Sequence, residues 1–242
     1  GCIMSTALAD VDRATIRLLE RAGCEVTVTA GQVCCGALNA HGGDMAGARA
    51  LARQNIAVFE GEGAIVVNSA GCSAMLKDYA HLLPDDPHAR TFVARVKDVT
   101  EFLAARALPP GRIEPRAVAY QDACHLAHAQ GIRQQPRQLL RAIAGLELRE
   151  LADGGLCCGS AGIYNITHPD EAGKLRRRKV DSIVASGASL VVTANPGCLL
   201  QLRAGLAEAG SAIEVKHIAE LLDEATEPSP CPLPLRQERV ST

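Results

Sequence analysis

The chain has no tryptophan, only 2% of its residues are aromatic, and no apolar stretch runs for more than a few residues. A membrane-spanning helix needs about 18 consecutive apolar residues, so we expect no transmembrane segment. No secretory leader is recognisable, which favours a location in the reducing cytoplasm. With so few aromatic residues, the core must be built mainly from alanine, valine, leucine and isoleucine.

An excess of charge of either sign is also absent, since the formal net charge is only -2. This near balance excludes a strongly basic nucleic-acid binder and gives no electrostatic reason to coat an anionic membrane. Hydrophobic residues make up 48% of the 242 residues and charged residues 21%, which is typical of a globular protein. The length fits one large domain or two of about 120 residues.

Ten cysteines are the unusual feature of the composition. In a reducing compartment, clustered cysteines bind metals or carry redox chemistry more often than they form disulfides. Three landmarks, a single Cys, a Cys-Cys-Gly and a Gly-Cys, occur twice in the same order and at a nearly constant offset, which indicates an internal duplication. The eight repeated cysteines are Cys2, Cys34, Cys35 and Cys72 in the first half, and Cys124, Cys157, Cys158 and Cys198 in the second.

The order of predicted elements supports two tandem pseudo-symmetric α/β repeats, each with a mainly parallel sheet flanked by helices. Strands are predicted over 24–28, 64–68, 117–120, 146–151, 189–193 and 212–216, and helices over 10–22, 44–59, 86–106, 136–143, 168–186 and 196–209.

The repeats are expected to span residues 1–108 and 116–223, and a Pro-rich disordered tail to span 224–242. The tail contains Cys231, which receives no role. By symmetry with 117–120, a strand should precede Cys2. That opening strand is missing from the chain, which favours a fragment.

The cysteine landmarks follow predicted strands, and the carboxyl ends of parallel strands share one edge of a sheet. The four cysteines of each repeat are therefore expected to converge. Four thiolates can hold a [4Fe–4S] cluster or a zinc ion. Both sulfurs of a vicinal pair can face one site only if the backbone turns, which Gly36 and Gly159 permit. Vicinal pairs are unusual in zinc sites, which favours iron–sulfur.

Other residues carry weaker signals. His41, His125 and His128 lie near the cysteine landmarks, and a hydrogen-bonding role is favoured for them over direct ligation. Cys24 is interpreted as a small buried hydrophobic residue. The basic run 176–179 is interpreted as a solvated helix face, with partner docking as the alternative. No dinucleotide fingerprint, P-loop or catalytic triad is present, so no catalytic residue is assigned.

Several longer strings resemble the CCG cysteine-rich domain pair found in heterodisulfide reductases, the lactate-utilisation proteins and the glycolate oxidase iron–sulfur subunit. The resemblance covers about residues 1–223 and is strongest to the last of these. The strings are QNI at 54–56, NSAGC at 68–72, DACHLAH at 122–128, QGIR at 130–133 and CCGSAGIYN at 157–165.

This resemblance implies an iron–sulfur electron-transfer subunit of an oxidoreductase that acts on the CH–OH group of a 2-hydroxy acid. The eight repeated cysteines would be its ligands, and the cluster would be [4Fe–4S]. An FAD-linked glycolate oxidase subunit would oxidise glycolate to glyoxylate, and a further subunit or a membrane acceptor would receive the electrons. The location would be cytoplasmic or peripheral on the inner face of the cell membrane.

Two alternatives stay open: a lactate-utilisation or heterodisulfide-reductase-like redox component, and a non-redox scaffold that binds zinc or docks a partner. The chain also departs from the resemblance in two ways. Family members with a five-thiolate non-cubane cluster carry an additional cysteine where this chain has Met75 and Gln201. The upstream ferredoxin-like segment of the glycolate oxidase subunit is absent from this sequence.

Overall fold

The computed structural model describes residues 2–59 and 61–227. In these residues the chain alternates helices with short strands. The helices are α1 (Cys2–Ala7), α2 (Ala9–Arg21), α3 (Ala37–His41), α4 (Met45–Val58), α5 (Ala70–Lys77), α6 (Tyr79–Leu82), α7 (Pro87–Arg95), α8 (Val99–Ala104), α9 (Cys124–Ala127), α10 (Gln134–Arg141), α11 (Tyr164–Thr167), α12 (Pro169–Ala185), α13 (Pro196–Glu208) and α14 (Ile218–Thr226). The strands are β1 (Ile65–Val67), β2 (Val96–Asp98), β3 (Gly111–Tyr120), β4 (Ile143–Glu150), β5 (Leu190–Thr193) and β6 (Glu214–His217).

Two sheets form, and every strand pair in them is parallel. The second repeat contains a four-stranded sheet in the order β4-β3-β5-β6, and the first contains the pair β1-β2. In the centre of the larger sheet, Val118 lies between Leu148 and Leu190. The predicted α/β class with two parallel sheets is confirmed.

Helix boundaries in the second repeat follow the sequence signals closely. Helix α12 begins at Pro169, a position where the missing N–H costs nothing, and has Asp170 and Glu171 in its first turn. The helix ends just before Gly187, whose φ of 70° is the left-handed conformation that stops a helix.

The first repeat departs from the prediction at residues 24–28, which form no strand. A strand needs a hydrogen-bonding neighbour, and the corresponding β4 obtains one from β3. In the described part of the first repeat, β1 pairs only with β2, so residues 24–28 have no such neighbour. A cavity of ≈ 710 Å³ is lined by the 24–29 segment, by β1 and by α2.

Residues 86–106 are mostly helical, as predicted, but the short strand β2 divides them into α7 and α8. Asp98 explains the break: its carboxylate accepts a hydrogen bond from the backbone N–H of Thr100, and Glu101 completes a capping box. A new helix therefore starts after Asp98, and Val96 pairs with Ile65.

The last helix of the second repeat ends later in the chain than the predicted boundary at residue 223. Helix α14 continues through residues 224–226, which the sequence assigned to the tail. The rest of the predicted tail, including Cys231, lies outside the described residues from 228 onward.

One hydrophobic core extends across both repeats and includes Leu18 and Val99 of the first and Val118 and Leu190 of the second. A smaller core, which includes Tyr79, lies within the first repeat alone. Helix α2 packs on α14, where the side chain of Asp223 is almost fully buried and pairs with Arg17 and Arg21. A buried carboxylate needs such partners to offset its desolvation. Within the described ranges, no helix is long and apolar enough to cross a membrane.

Candidate metal centre

The four cysteines of the first repeat converge at the carboxyl end of its sheet. Cys2 is the first residue of α1, and its Sγ lies 4.0 Å from Sγ of Cys34. Cys34 hydrogen-bonds Cys35, and Cys35 hydrogen-bonds Cys72, the third residue of α5. These four thiols, which we call the first thiol chain, are thus connected sulfur to sulfur.

The second repeat reproduces this arrangement. Cys124 is the first residue of α9 and Cys198 the third residue of α13. Hydrogen bonds connect Cys124 to Cys157, Cys157 to Cys158, and Cys158 to Cys198. We call this the second thiol chain. It is the more enclosed of the two, since Cys158 and Cys198 are only 1% and 2% exposed.

The predicted backbone turn at each vicinal pair is present. Gly36 has φ 82° and Gly159 has φ 90°, a region that residues with a Cβ rarely adopt. The turn also directs a backbone N–H at a sulfur: Gly36 N lies 3.5 Å from Sγ of Cys34, and Gly159 N lies 3.3 Å from Sγ of Cys157. Each N–H stabilises negative charge on that sulfur.

The hydrogen bonds divide the thiols of each chain into donors and acceptors. In the first thiol chain, hydrogen bonding with Cys35 lowers the pKa of Cys34 to about 5 and that of Cys72 to about 7, although the single S–H of Cys35 can be donated to only one of them at a time. The pKa of Cys35 itself is raised by the same bonds and by burial. Thiolates are the metal-binding form of cysteine, so the accepting sulfurs are prepared for ligation before a metal arrives.

Lowered and raised pKa values alternate along the second thiol chain in the same order. Hydrogen bonding with Cys124 and Cys158 lowers the pKa of Cys157, and hydrogen bonding with Cys158, whose single S–H can be donated to only one acceptor at a time, lowers the pKa of Cys198. The pKa values of the two donors are raised. Identical alternation in both repeats follows from the duplicated backbone.

Buried polar side chains donate hydrogen bonds to the backbone carbonyl oxygens of the first vicinal pair, Cys34 and Cys35. Asn55 donates to the carbonyl oxygen of Cys34 at 3.1 Å, and the Tyr79 hydroxyl donates to that of Cys35 at 2.8 Å. Asn55 also accepts from the N–H of Val33 at 3.0 Å. Asn55 belongs to the QNI string at 54–56, which the sequence analysis singled out. Tyr79 was not predicted, because nothing in the local sequence marks a tyrosine as the partner of a distant carbonyl.

One histidine from each repeat lies beside the second thiol chain. The rings of His41 and His125 stack with centroids 5.8 Å apart, and Nδ1 of His125 lies 3.6 Å from Sγ of Cys124. Burial and the neighbouring His41 lower the pKa of His125, which favours its neutral form. His128 instead contacts Arg133 and the carbonyl oxygen of Gly155, which is the hydrogen-bonding role expected from the sequence.

The remaining candidates lie outside the thiol chains. Cys24 is half-buried against the core and belongs to neither chain. Within the basic run, Arg176 pairs with Glu208, and Lys179 is fully buried against Asp153. The run is therefore not the uniformly solvated face that the sequence predicted.

The donor set fits an iron–sulfur cluster. Each thiol chain offers four sulfurs, two of them with lowered pKa values, together with backbone N–H groups directed at sulfur. Soft thiolate ligands in fours are the usual ligands of [4Fe–4S] clusters. As they stand in residues 2–59 and 61–227, no three or more His, Cys, Asp or Glu side chains are arranged so that they could hold a metal ion.

Two parallel α/β repeats, each presenting a four-cysteine site at its sheet edge, define a class of cysteine-rich redox domains. The chain matches the CCG cysteine-rich domain family over residues 1–77 and 118–203. It belongs to that family, and the match occurs once in each repeat.

Named relatives agree with this assignment. The chain is 41% identical over 236 residues to the probable glycolate oxidase iron-sulfur subunit of Bacillus subtilis (strain 168), covering 93% of this chain and 53% of that protein. It is 35% identical over 231 residues to lactate utilization protein A of Exiguobacterium sp. (strain ATCC BAA-1283 / AT1b), covering 92% and 94%. The chain therefore spans about half of the first relative and nearly all of the second.

Proposed function

We propose that the chain is the iron–sulfur electron-transfer part of a glycolate-oxidising oxidoreductase. The observation that carries this proposal is the duplicated thiol chain. The proposal assigns the ligand role to Cys2, Cys34, Cys35 and Cys72 in the first site and to Cys124, Cys157, Cys158 and Cys198 in the second. The name of the Bacillus subtilis relative supports the choice of glycolate.

The protein's own residues do three things at each site. The cysteines bind, with the lowered pKa values of Cys34 and Cys157 reducing competition from protons. The N–H groups of Gly36 and Gly159 donate to sulfur and stabilise its charge. Burial of Cys35 and Cys158 limits access of water. A [4Fe–4S] cluster held there supplies one-electron uptake and release.

Substrate oxidation is assigned to a partner. Removing a hydride equivalent from a 2-hydroxy acid requires a flavin or nicotinamide, and the sequence contains no dinucleotide fingerprint. An FAD-linked glycolate oxidase subunit therefore oxidises glycolate to glyoxylate and delivers electrons here. A further subunit or a membrane acceptor takes them onward. We place the complex in the cytoplasm, with peripheral attachment to the inner face of the cell membrane as the alternative.

A lactate-utilisation component is the second candidate. It is favoured by one specific observation: the chain covers 94% of lactate utilization protein A from Exiguobacterium sp.. Both candidates assign the same role to the cysteines and differ only in the flavoprotein that donates electrons. The heterodisulfide-reductase-like component and the zinc or docking scaffold have no such supporting observation.

Stopped-flow reduction tests the proposal. The chain, reconstituted anaerobically with iron and sulfide, is mixed with an FAD-linked glycolate-oxidising subunit, and the visible cluster absorption is followed. We expect bleaching that requires both the flavoprotein and glycolate. A matched experiment with a lactate-oxidising partner and lactate distinguishes the second candidate. Glycolate oxidation by the chain alone, without any flavoprotein, contradicts the electron-transfer role.

A further inference from the structure

Asn195 connects the second thiol chain to the first repeat. Its Oδ1 accepts a hydrogen bond from the backbone N–H of Gly71 at 2.9 Å, and its Nδ2 donates to Sγ of Cys198 at 3.6 Å. Gly71 immediately precedes Cys72, a member of the first thiol chain. One amide side chain therefore joins the sulfur of one site to the backbone beside a sulfur of the other.

The position of Asn195 makes these two bonds unusual. It is the N-cap residue of α13, where an asparagine side chain normally accepts a hydrogen bond from its own helix. No such capping bond is made. The side chain instead reaches across to the other repeat, and the adjacent backbone reinforces the contact, since Ala70 N donates to the carbonyl oxygen of Ala194 at 3.1 Å.

The orientation of the amide follows from its partners. A backbone N–H can only donate, so the group facing Gly71 must be the carbonyl oxygen of the amide. The NH₂ group is thereby directed at Cys198. This donor to Cys198, a sulfur that also hydrogen-bonds Cys158 and Thr193, is fixed by a contact made in the opposite repeat.

Of the two glycines next to the Asn195 side chain, Gly197 is the one without room for a Cβ. A Cβ on Gly71 would lie 3.4 Å from Oδ1 of Asn195, and a Cβ on Gly197 would lie 3.3 Å from its Nδ2 and 2.7 Å from Oγ of Ser160. The close approach at Gly197 would force a shift of the surrounding side chains. Gly197 thus leaves room for the side chains of Ser160 and Asn195.

The first repeat has a corresponding donor. Ser69 is the N-cap residue of α5 and likewise makes no side-chain capping bond. Its side chain hydrogen-bonds Cys72, which contributes to the lowered pKa of that thiol. In both repeats, then, the N-cap side chain hydrogen-bonds the cysteine at the third helical position and makes no capping bond to the backbone of its helix.

We propose that Asn195 is a positioning residue that raises the reduction potential of the cluster bound by the second thiol chain. This inference rests on the proposed function. Reduction by one electron adds one negative charge to the cluster and its thiolates, and an N–H donor to sulfur favours the more negative state. Cys198 is only 2% exposed, so water does not replace the donor, and the bond acts in a low-dielectric environment.

Two substitutions of Asn195 separate the effect of its hydrogen bond to Cys198 from the effect of its hydrogen bond with Gly71. Asn195→Asp keeps an oxygen that can accept from Gly71 but replaces the donor with a charged oxygen. Asn195→Ala removes both bonds without adding charge. Asn68→Ala is the matched control, because the Asn68 amide donates to Asp12 at 2.8 Å and to Thr15 at 3.0 Å and not to a cysteine.

The test is an EPR-monitored redox titration of the reconstituted whole chain, with iron content measured on the same samples. We expect Asn195→Ala to shift the reduction equilibrium of the second-site cluster about tenfold toward the oxidised form, about 59 mV for one electron. Asn195→Asp should shift it further in the same direction, and Asn68→Ala should leave it unchanged.

The outcomes distinguish this inference from the proposed function. An unchanged second-site potential in both Asn195 variants, at full iron content, overturns the role of Asn195 alone. A parental chain that takes up no iron–sulfur cluster overturns the proposed function, and this inference with it. A shift that Asn68→Ala reproduces shows a general effect of packing and also overturns the inference.

Discussion

Gly159→Ala is the substitution with the most sharply defined consequence for the second thiol chain. Gly159 follows Cys158 directly and has φ 90°. A Cβ there would lie 2.5 Å from the carbonyl oxygen of Ala172, which belongs to the backbone of α12. Since neither the helix nor the turn is a flexible side-chain end, the turn that aligns Cys157 with Cys158 has to move.

The expected magnitude has two parts. A non-glycine residue in such a conformation costs about 1–3 kcal/mol, and the clash with Ala172 adds to that. Gly210→Ala is the matched control, because Gly210 also has a positive φ, of 63°, but a Cβ there meets nothing within 4 Å. The entropic gain of replacing glycine in the unfolded chain, about 0.4–1 kcal/mol, is common to both variants and cancels in the comparison.

Urea unfolding of the two variants, with iron content after reconstitution, measures both effects. We expect Gly159→Ala to lose more unfolding free energy than Gly210→Ala and to lose the second-site cluster, while Gly210→Ala keeps its iron. Equal stability and equal iron content in the two variants refute the reasoning that the vicinal turn shapes the site.

The sites and the cavity in the first repeat lead to three more expected outcomes. Cys158→Ser should remove the second-site iron and leave the first, while the control Cys24→Ser keeps both; equal losses on iron analysis contradict the assignment. Alkylation of the metal-free chain by iodoacetamide, followed by peptide mass spectrometry, should accelerate at Cys34 as the pH rises through about 5, because its pKa is lowered and the thiolate forms above that pH. A rise only near pH 9 contradicts this. A copy of residues 117–123 placed before Cys2 should add a strand in the cavity and protect the amides of β1 from hydrogen exchange, unlike a Gly-Ser extension of equal length; no added protection contradicts the pairing.

Convergence of the cysteines of the second repeat was predictable, because they follow β3, β4 and β5 and the ends of parallel strands meet at one sheet edge whatever their separation in sequence. The glycine turns at Gly36 and Gly159 were predictable for a similar reason, since a vicinal pair needs a backbone reversal. Both inferences depend only on local pattern and on topology.

The features that were missed depend on contacts between distant segments. Residues 24–28 have the composition of a strand, but pairing is decided by a neighbour that the local pattern does not contain. The three residues of β2 are too few to show a period of two. The bond between Asn195 and Gly71 joins the two repeats, and no spacing in the sequence signals it. Interactions that tune the site are therefore harder to predict than its ligands.

Iron and acid-labile sulfide analysis after anaerobic reconstitution tests the central claim most directly. We expect a brown protein with equal amounts of iron and sulfide. Cys35→Ser should lower the iron and sulfide contents by the share of the first site, and Cys158→Ser should lower them by the share of the second. A colourless protein that binds zinc without sulfide, or iron uptake that neither substitution changes, would contradict the claim that the two thiol chains hold iron–sulfur clusters.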